Sequence, residues 1–293
     1  MPDELSHAEP ERQEGAWTAL ATAVPGLAHL EAPTPQPCQD AAGAAAGWRP
    51  VLVVADGAGS SPASDVGART LVAAMLRLAD TLEPQLAWLL DGQDEPGSEP
   101  LGQFAELLVR HATGSLLDRA AERLRPARDL RSTLLLALGG RERLLWLKVG
   151  DGEIVLERAV PIESPEGDEP ALAPELVTLG ERGKGEFANQ TLFVDDRLTT
   201  EQVQYGCEPM SAMTGIALMS DGAAEKLVAH DGGRVAGQLS HWLDDLRRGR
   251  LRQRDLVRLF YSDTFCRGTS GDDRSIALAA RDLALPQEAF KEN

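Results

Sequence analysis

Three times along this chain an apolar, strand-like run ends directly in Asp-Gly. The runs are VLVVA before Asp56-Gly57, LLWLKVG before Asp151-Gly152 and IALMS before Asp221-Gly222. A fourth acidic pair, Asp272-Asp273, stands immediately before the run RSIALAA. Taken singly, each Asp-Gly is typical of a hairpin turn, because both residues tolerate positive φ. Taken together, acids at the ends of several strands can converge on one point, which constrains the fold more than any other feature.

The order of the predicted elements favours an α+β fold. Short apolar runs predict strands over 51–55, 132–138, 144–149, 153–157, 176–179, 191–194, 216–219 and 275–280. Helical spacing of apolar residues predicts helices over 65–90 (with Ser64 as the N-cap), 103–124, 223–228, 234–246 and 253–265. Acidic stretches rich in Pro and Gly predict loops over 91–100 and 163–174. Strands and helices are segregated in sequence, which indicates a layered α+β domain rather than a doubly wound one.

The charge of the chain excludes some partners. Its 46 acidic and 29 basic residues give a net charge of −17, which repels phosphate backbones and anionic lipid. We therefore expect neither nucleic-acid nor membrane binding. No apolar run is long enough to span a bilayer, and the acidic N-terminus has no signal-peptide pattern. Three cysteines without CxxC spacing predict neither a disulfide framework nor a zinc site and indicate a cytoplasmic location.

Carboxylates that converge repel one another unless a cation lies between them. Oxygen ligands select Mg²⁺, Mn²⁺ or Ca²⁺, and the five histidines show no HxH or HxxxH spacing for zinc. Glu225 lies four residues after Asp221, so a helix starting there would place both carboxylates on one face. As a first-turn charge, Glu225 is equally explained by the helix dipole. These residues suit a metal-dependent phosphohydrolase and leave open a calcium-stabilised binding domain.

Seven segments resemble, in order, the motifs of the metal-dependent protein phosphatase 2C family (PPM-type serine/threonine phosphatases), in a divergent bacterial form. They are PCQDA (37–41), VADGAGSSPASDVGA (54–68), STLLLAL (132–138), VGDGEIVL (149–156), GEFANQTLFV (185–194), ALMSDGAAEKL (217–227) and GDDRSIAL (271–278). The resemblance implies a four-layer α/β/β/α sandwich of two antiparallel sheets flanked by helices. It also implies two Mn²⁺ or Mg²⁺ ions in a cleft at one edge of the sandwich, with a third ion as a further option.

The resemblance also implies roles for individual acids. Asp56 would bridge both metals, the Gly57 carbonyl would bind one of them, and Asp221 and Asp272 would complete the shell of the other. Asp40 matches an acid that acts mainly through metal-bound water. Asp151 matches an acid that helps to hold a weaker third metal. Glu225 falls where the family usually has a second acid, which implies a share in that third site. The expected catalytic residues are Asp40, Asp56, Asp221 and Asp272.

Three positions depart from the family pattern. Ala58 replaces a histidine proposed as general acid, so the leaving group must take its proton from water or elsewhere. Thr34-Pro35-Gln36 stand where an arginine commonly holds substrate phosphate. His29 could fill either role or be structural. Asp273 replaces an asparagine and adds negative charge beside the metals.

The leading hypothesis is a cytoplasmic serine/threonine protein phosphatase in which a metal-bridged hydroxide hydrolyses phosphoserine or phosphothreonine. Its expected partners are phosphoprotein substrates, opposite a Ser/Thr kinase. The alternative is a catalytically weak pseudophosphatase that binds a phosphoprotein or kinase, and a third option is an enzyme for small phosphate esters. The sequence does not determine the oligomeric state.

The predicted organisation is one catalytic domain over 17–283, preceded by a flexible acidic N-terminus (1–16) and followed by a C-terminal tail (284–293). Cys38 lies beside Asp40 but has no paired histidine nearby, so we interpret it as a small hydrophobic residue rather than a nucleophile. Six arginines form a basic stripe that is either a solvated helical face or a docking site: Arg247, Arg248, Arg250, Arg252, Arg254 and Arg258.

Overall fold

Ten strands form two antiparallel sheets in the computed structural model, which describes residues 16–162, 171–181 and 191–282. The strands are β1 (Thr18–Val24), β2 (Ala41–Ala45), β3 (Val51–Ala55), β4 (Leu134–Gly139), β5 (Arg143–Val149), β6 (Glu153–Ile162), β7 (Ala171–Leu179), β8 (Gln204–Pro209), β9 (Met213–Met219) and β10 (Arg274–Ala280). Sheet one has the order β1-β10-β9-β6-β7, and sheet two has the order β2-β3-β4-β5-β8.

Helices cover the outer face of each sheet. They are α1 (Leu27–Leu30), α2 (Ser64–Thr81), α3 (Glu83–Leu90), α4 (Ser98–Glu122), α5 (Asp221–Ala224), α6 (Gln238–Arg247), α7 (Gln253–Phe260) and α8 (Asp263–Cys266). Helices α2, α3 and α4 pack on sheet two, and α5, α6 and α7 pack on sheet one. A third apolar layer fills the space between the sheets. The expected four-layer α/β/β/α sandwich is therefore confirmed.

The central strands are buried on both faces, which explains their continuous apolar sequences. Every residue of β3 is buried: Val53 packs toward the helices, and Leu52 and Val54 pack between the sheets. In a strand with one solvated face, polar residues would alternate with apolar ones. The run VLVVA is thus the sequence of a strand inside a four-layer structure.

Several predicted boundaries are wrong. The helix predicted over 65–90 is two helices, because Pro84 lacks the N–H that a continuous helix requires and instead lies in the first turn of α3. Ser64 is the first residue of α2 rather than its N-cap, which is Ala63. The helix predicted over 253–265 is divided into α7 and α8. The strand predicted over 191–194 is reduced to an isolated bridge at Val194.

Other elements were missed or lie outside the described residues. Strands β1, β2 and β8 were not predicted, and the last four residues of the loop predicted over 163–174 belong to β7. The C-terminal tail and all but the last residue of the predicted N-terminal segment lie outside the described residues. So do residues 185–190 of the fifth motif. Within the described part of the chain, no helix combines the length and apolarity needed to cross a bilayer.

Candidate metal centre

Strand register brings five of the predicted acids to one end of the sandwich. In sheet two, Ala41 pairs with Ala55, so the residues on either side, Asp40 and Asp56, leave their strands at the same end. In sheet one, Ile276 pairs with Met219, which brings the start of β10 beside the end of β9. The acids at these two strand ends are Asp272 and Asp221.

Asp151 reaches the same end by a different route. It lies in the turn between β5 of sheet two and β6 of sheet one, so it connects the two layers. Glu153 pairs with Met219, which places this turn beside the end of β9. Acids from both sheets therefore meet at this end of the sandwich.

Asp56 lies at the centre of this group of acids. Burial raises the pKa of its carboxyl well above the ordinary value, and the negative charges of Asp40, Asp221 and Asp272 raise the pKa further. A hydrogen bond shared with Asp221 acts in the same direction. The four side chains must therefore be close enough to interact directly.

Asp40 is 4% exposed, and neither oxygen of its carboxyl group makes a hydrogen bond. Burial raises its pKa to about 7, and the charge of Asp273 contributes to the rise. The hydroxyls of Ser220 and Ser275 are near enough to offset part of this rise, but neither forms a well-aligned hydrogen bond with the carboxylate. A buried carboxylate without hydrogen-bond partners is costly unless a cation binds it.

Asp221 connects the centre of the group to Asp151. Burial raises the pKa of Asp221 to about 6, and the next largest cause is the charge of Asp151. Asp151 itself accepts a hydrogen bond of 2.7 Å from the hydroxyl of Thr191. Asp151 thus lies beside Asp221 rather than forming an isolated hairpin turn.

The two remaining predicted acids are more exposed. Asp272 is exposed, and its neighbours in the direction of the centre are Asp56 and Asp221. Glu225 is also exposed, and its carboxylate accepts a hydrogen bond of 3.0 Å from the backbone N–H of Ser270, two residues before Asp272. Glu225 therefore fixes the loop that carries Asp272, whatever its role toward a metal.

The backbone of Asp56 is held by two hydroxyl residues at the start of β4. Its carbonyl accepts bonds of 2.7 Å from the N–H of Thr133 and 2.8 Å from the hydroxyl of Ser132. Its own N–H donates to the hydroxyl of Thr133 at 2.9 Å. Ser132 and Thr133 are the first two residues of the motif STLLLAL. The sequence assigned no role to them, and these hydrogen bonds show that they orient the backbone of Asp56.

The glycines after the acids allow close packing. A Cβ on Gly57 would lie 2.7 Å from the Cβ of Ser64, and one on Gly222 would lie 2.2 Å from the carbonyl oxygen of Asp273. Both distances are too short for any side chain. Gly222 thereby permits α5, which starts at Asp221, to approach the residues that precede β10.

Asp273 has a structural role that the sequence did not reveal. It is 3% exposed, and its two oxygens accept hydrogen bonds from the N–H groups of Gly26 (2.7 Å) and Gln39 (2.6 Å). The Nδ1 atom of His29 lies 2.8 Å from the same carboxylate. The negative charge of Asp273, which the sequence placed beside the metals, is therefore stabilised by N–H groups. Through its bond to Gln39, Asp273 also fixes the residue that precedes Asp40.

His29, Asp272 and Asp273 form a compact group whose ligand-type atoms lie within 4.8 Å of one another. Asp273, however, already accepts two backbone hydrogen bonds and contacts His29. The group is better explained as a clamp between the segment after β1 and the start of β10 than as a metal site. The sequence left open whether His29 is catalytic or structural, and its contact with Asp273 in this clamp favours the structural role.

The interpretation of Cys38 agrees with its surroundings. Burial raises the pKa of the thiol far above its ordinary value, and the charges of Asp273 and Asp40 add to the rise. The thiol donates a weak hydrogen bond to the carbonyl of Asp40. A thiol in this environment stays protonated and is a poor nucleophile.

The residues present fit divalent cations. Mutually repelling carboxylates with raised pKa values, and the buried Asp40 oxygens without partners, are the features that oxygen-ligated cations would relieve. The donor set consists of carboxylates, which suits Mn²⁺ or Mg²⁺ better than zinc.

Comparisons with known proteins agree with this architecture. A family model described as Protein phosphatase 2C matches residues 26–259. The chain is similar to the catalytic domain of the serine/threonine protein phosphatase PstP in complex with two manganese ions, with 18% identity, a TM-score of 0.55, and coverage of 91% of this chain and 99% of that one. No curated protein matches the chain.

Two further solved structures are similar over most of their length. Stp1 from Staphylococcus aureus is 14% identical, with a TM-score of 0.55 and coverage of 94% of this chain and 100% of that one. A serine-threonine phosphatase 2C from Toxoplasma gondii is 13% identical, with a TM-score of 0.58 and coverage of 92% and 96%. At such identities the likeness establishes the fold.

Proposed function

This chain belongs to the protein phosphatase 2C family, and on that basis we propose that it is a metal-dependent serine/threonine protein phosphatase. Its substrates are phosphoserine or phosphothreonine residues of proteins, phosphorylated by a Ser/Thr kinase. The observation that carries the proposal is the convergence of acids from both sheets on Asp56, with Asp40 buried and lacking hydrogen bonds beside it.

We assign the metal-holding residues from this convergence. Asp56, the Gly57 carbonyl, Asp221 and Asp272 would hold two Mn²⁺ or Mg²⁺ ions. Asp40 would act on the same pair, mainly through water. Asp151 and Glu225 are candidates for a third ion, and the Asp221–Asp151 interaction supports the first of these.

When bound, the two ions supply Lewis acidity that activates a water and neutralises the phosphoryl oxygens. The residues of the chain keep the metal-holding carboxylates in position. Ser132 and Thr133 keep the backbone of Asp56 fixed, and Asp273 keeps Gln39, the neighbour of Asp40, in place. Since Ala58 carries no titratable group, the leaving alkoxide takes its proton from solvent.

Two observations support a single displacement without a covalent phosphoenzyme. The thiol nearest the site, Cys38, is held protonated, and His29 is held against Asp273. Neither residue therefore acts as an activated nucleophile. A water is left as the attacking group.

The test of the proposal is Mn²⁺-dependent hydrolysis of a phosphothreonine peptide by the full chain and by Asp56→Asn. We expect the substitution to lower kcat by at least about 100-fold and to weaken Mn²⁺ binding measured by calorimetry, because it removes the central carboxylate. Asp80→Asn, on the exposed face of α2, is the control and should change neither quantity. Activity that survives both EDTA and Asp56→Asn would refute the proposal.

A weakly active pseudophosphatase is the second candidate. It is favoured by Ala58 and by the engagement of His29 with Asp273, which together leave no free imidazole at these two positions. In that case the metals would bind, but peptide hydrolysis would not exceed the background rate. Comparing turnover of the peptide with turnover of small phosphate esters separates both candidates from a metabolite phosphatase.

A further inference from the structure

A groove of about 560 Å³ lies between α2 and α4, away from the acids described above. Each helix contributes two arginines to its walls: Arg69 and Arg77 from α2, Arg119 from α4, and Arg123 at the end of α4. We call this the arginine groove. The only acids on its walls, among the residues that the structure describes, are Asp118 and Glu122.

Two of the four arginines in this groove are not neutralised. Arg69 pairs with Asp65, and Arg119 pairs with Glu122 at 2.8 Å. Arg77 and Arg123 are exposed, and within the described ranges no carboxylate forms an ion pair with either of them. The groove therefore keeps an excess of positive charge even when the carboxylates of Asp118 and Glu122 are counted, in a chain whose net charge is −17.

Several arginines elsewhere on the surface are paired with carboxylates of the chain. On α4, Arg110 pairs with Glu106 at 2.6 Å. In the basic stripe after α6, Arg248 and Arg250 pair with Asp244 at 3.1 Å each. These pairs support the interpretation of that stripe as a solvated face. In the arginine groove, by contrast, four arginines converge with two acids on the walls of one cavity, and this excess of positive charge indicates a site for an anion.

A polypeptide partner is indicated by Leu124, which follows Arg123. Its side chain is 95% exposed, and its φ of 53° lies in the left-handed region. That conformation costs a non-glycine residue roughly 1 kcal/mol. An exposed leucine next to a groove of about 560 Å³ offers a peptide chain an apolar contact that a small ion cannot make.

The segment that follows α4 connects the groove to the loop after Asp56. Along it, the carbonyl of Asp129 accepts a hydrogen bond of 2.9 Å from Ala63, and the carbonyl of Arg128 accepts one of 2.8 Å from the hydroxyl of Ser61. Arg131, at the end of the segment, contacts the hydroxyl of Ser60 at 3.4 Å. This segment thus lies between the groove and the loop that follows Asp56, the central residue of the group of acids that we call the acid centre.

We propose that the arginine groove binds a phosphorylated segment of the protein substrate, at a site separate from the acid centre. A guanidinium pair matches the charge and the oxygen geometry of a phosphate dianion. That the bound segment belongs to a substrate rests on the proposed function, whereas the binding of a phosphorylated segment does not. A doubly phosphorylated protein would place one phosphate in the groove while another reaches the acids around Asp56.

The test is fluorescence anisotropy with a labelled peptide that carries two phosphothreonines, measured on the full chain in EDTA. Without metals the acid centre repels phosphate, so the signal reports on the groove. We expect the double substitution Arg77→Glu/Arg123→Glu to raise Kd by about tenfold or more, or ~1.4 kcal/mol. The control is Arg248→Glu/Arg250→Glu, which changes the net charge equally and should alter Kd less than about twofold.

Equal weakening by both double variants would overturn the proposal, because it would indicate general charge repulsion. Equal affinity for a peptide with glutamate in place of phosphothreonine would overturn it as well, in favour of an acidic segment. If the charge reversal impairs folding, Arg77→Gln/Arg123→Gln should still raise Kd. Mn²⁺-dependent hydrolysis of p-nitrophenyl phosphate should be unchanged in the groove variants. Absence of Mn²⁺-dependent hydrolysis of the phosphothreonine peptide by the unsubstituted chain would refute the proposed function and leave the binding test intact.

Discussion

At Asp273 the chain places a carboxylate beside an acid centre, yet uses it to hold backbone. Its oxygens accept two N–H groups at 2.6 and 2.7 Å, and the His29 ring lies at 2.8 Å. Charge-assisted hydrogen bonds of this kind are about twice as strong as neutral ones. From the sequence, this negative charge was expected to add repulsion beside the metals. In the structure it fixes the segment leading to Asp40.

Asp273→Asn tests this role. An asparagine offers one acceptor oxygen, so its amide group would face the N–H of Gly26 or Gln39 and leave that donor unpaired. We expect a loss of about 1–3 kcal/mol of unfolding free energy in denaturant titrations. Weaker Mn²⁺ binding should accompany it, because Gln39 positions Asp40.

Asp231→Asn is the matched control for this substitution. Asp231 is exposed and accepts one N–H, from Gly233 at 3.0 Å, so we expect a change below about 0.5 kcal/mol. If Asp273→Asn bound Mn²⁺ and unfolded like the unsubstituted chain, the clamp would have no energetic role.

At the scale of elements, the short helix α5 depends on one glycine. Asp221 starts this four-residue helix, and Gly222 follows it against the carbonyl of Asp273. Helix and strand approach too closely there for a side chain. The Asp-Gly pairs that the sequence explained as turns are thus also points of close packing between elements.

Gly222→Ala should displace α5 from the start of β10. A Cβ 2.2 Å from a carbonyl oxygen forces a backbone shift, for which we expect a cost of about 1–3 kcal/mol in thermal or chemical unfolding. The separation of Asp221 from Asp272 should also weaken Mn²⁺ binding measured by calorimetry.

Gly114→Ala, in the middle of α4, is the corresponding control. A Cβ there meets nothing within 4 Å, so alanine should stabilise the helix by roughly 0.5–1 kcal/mol. Opposite signs for the two substitutions are expected. A neutral Gly222→Ala with unchanged metal affinity would contradict the close-packing explanation.

Two of the three strands that the sequence missed have weak local signals. Strand β2 has the sequence AAGAA and β8 has QYGCEP, and glycine, alanine and proline disfavour strands. Both are edge strands that pairing with a neighbour stabilises. The strongly apolar strands β3, β5 and β9 were predicted, because their burial in the interior requires such residues.

For the whole molecule, the acid centre links stability to pH. The folded pKa values of Asp40 (about 7) and Asp221 (about 6) lie above the ordinary value of 3.8. The folded state therefore binds more protons than the unfolded state across this window. The part of the stability that these two groups contribute is fully present below about pH 4 and is lost as pH rises through about 7.

The metal-free chain should accordingly melt at lower temperature as pH rises from about 4 to 7, relative to Asp40→Asn. The comparison cancels groups that titrate elsewhere in the chain. Saturating Mn²⁺ should reverse the trend, because a metal concentration of 100 times Kd adds about 2.7 kcal/mol to the free energy of unfolding. Melting curves in EDTA and in Mn²⁺ measure both effects. Parallel pH profiles for the two proteins would show that Asp40 is not destabilised by burial.

The sequence by itself determined the features that depend on neighbouring residues. Apolar runs gave most of the strands, helical spacing gave most of the helices, and Asp56, Asp151 and Asp221 stood at strand ends because Asp-Gly is a local turn signal. Side-chain alternation and turn conformation are set within a few residues. The sequence therefore contained the positions of these acids, though not their neighbours in space.

Only the tertiary structure decided which side chains meet. Asp40 reaches Asp56 through the Ala41–Ala55 register, and Asp272 reaches Asp221 through the Ile276–Met219 register. Tertiary packing also places Asp273 against Gln39, and Ser132 and Thr133 against the backbone of Asp56. It likewise forms the groove between α2 and α4. Such contacts join residues far apart in the chain, and they depend on how whole layers pack rather than on local preference.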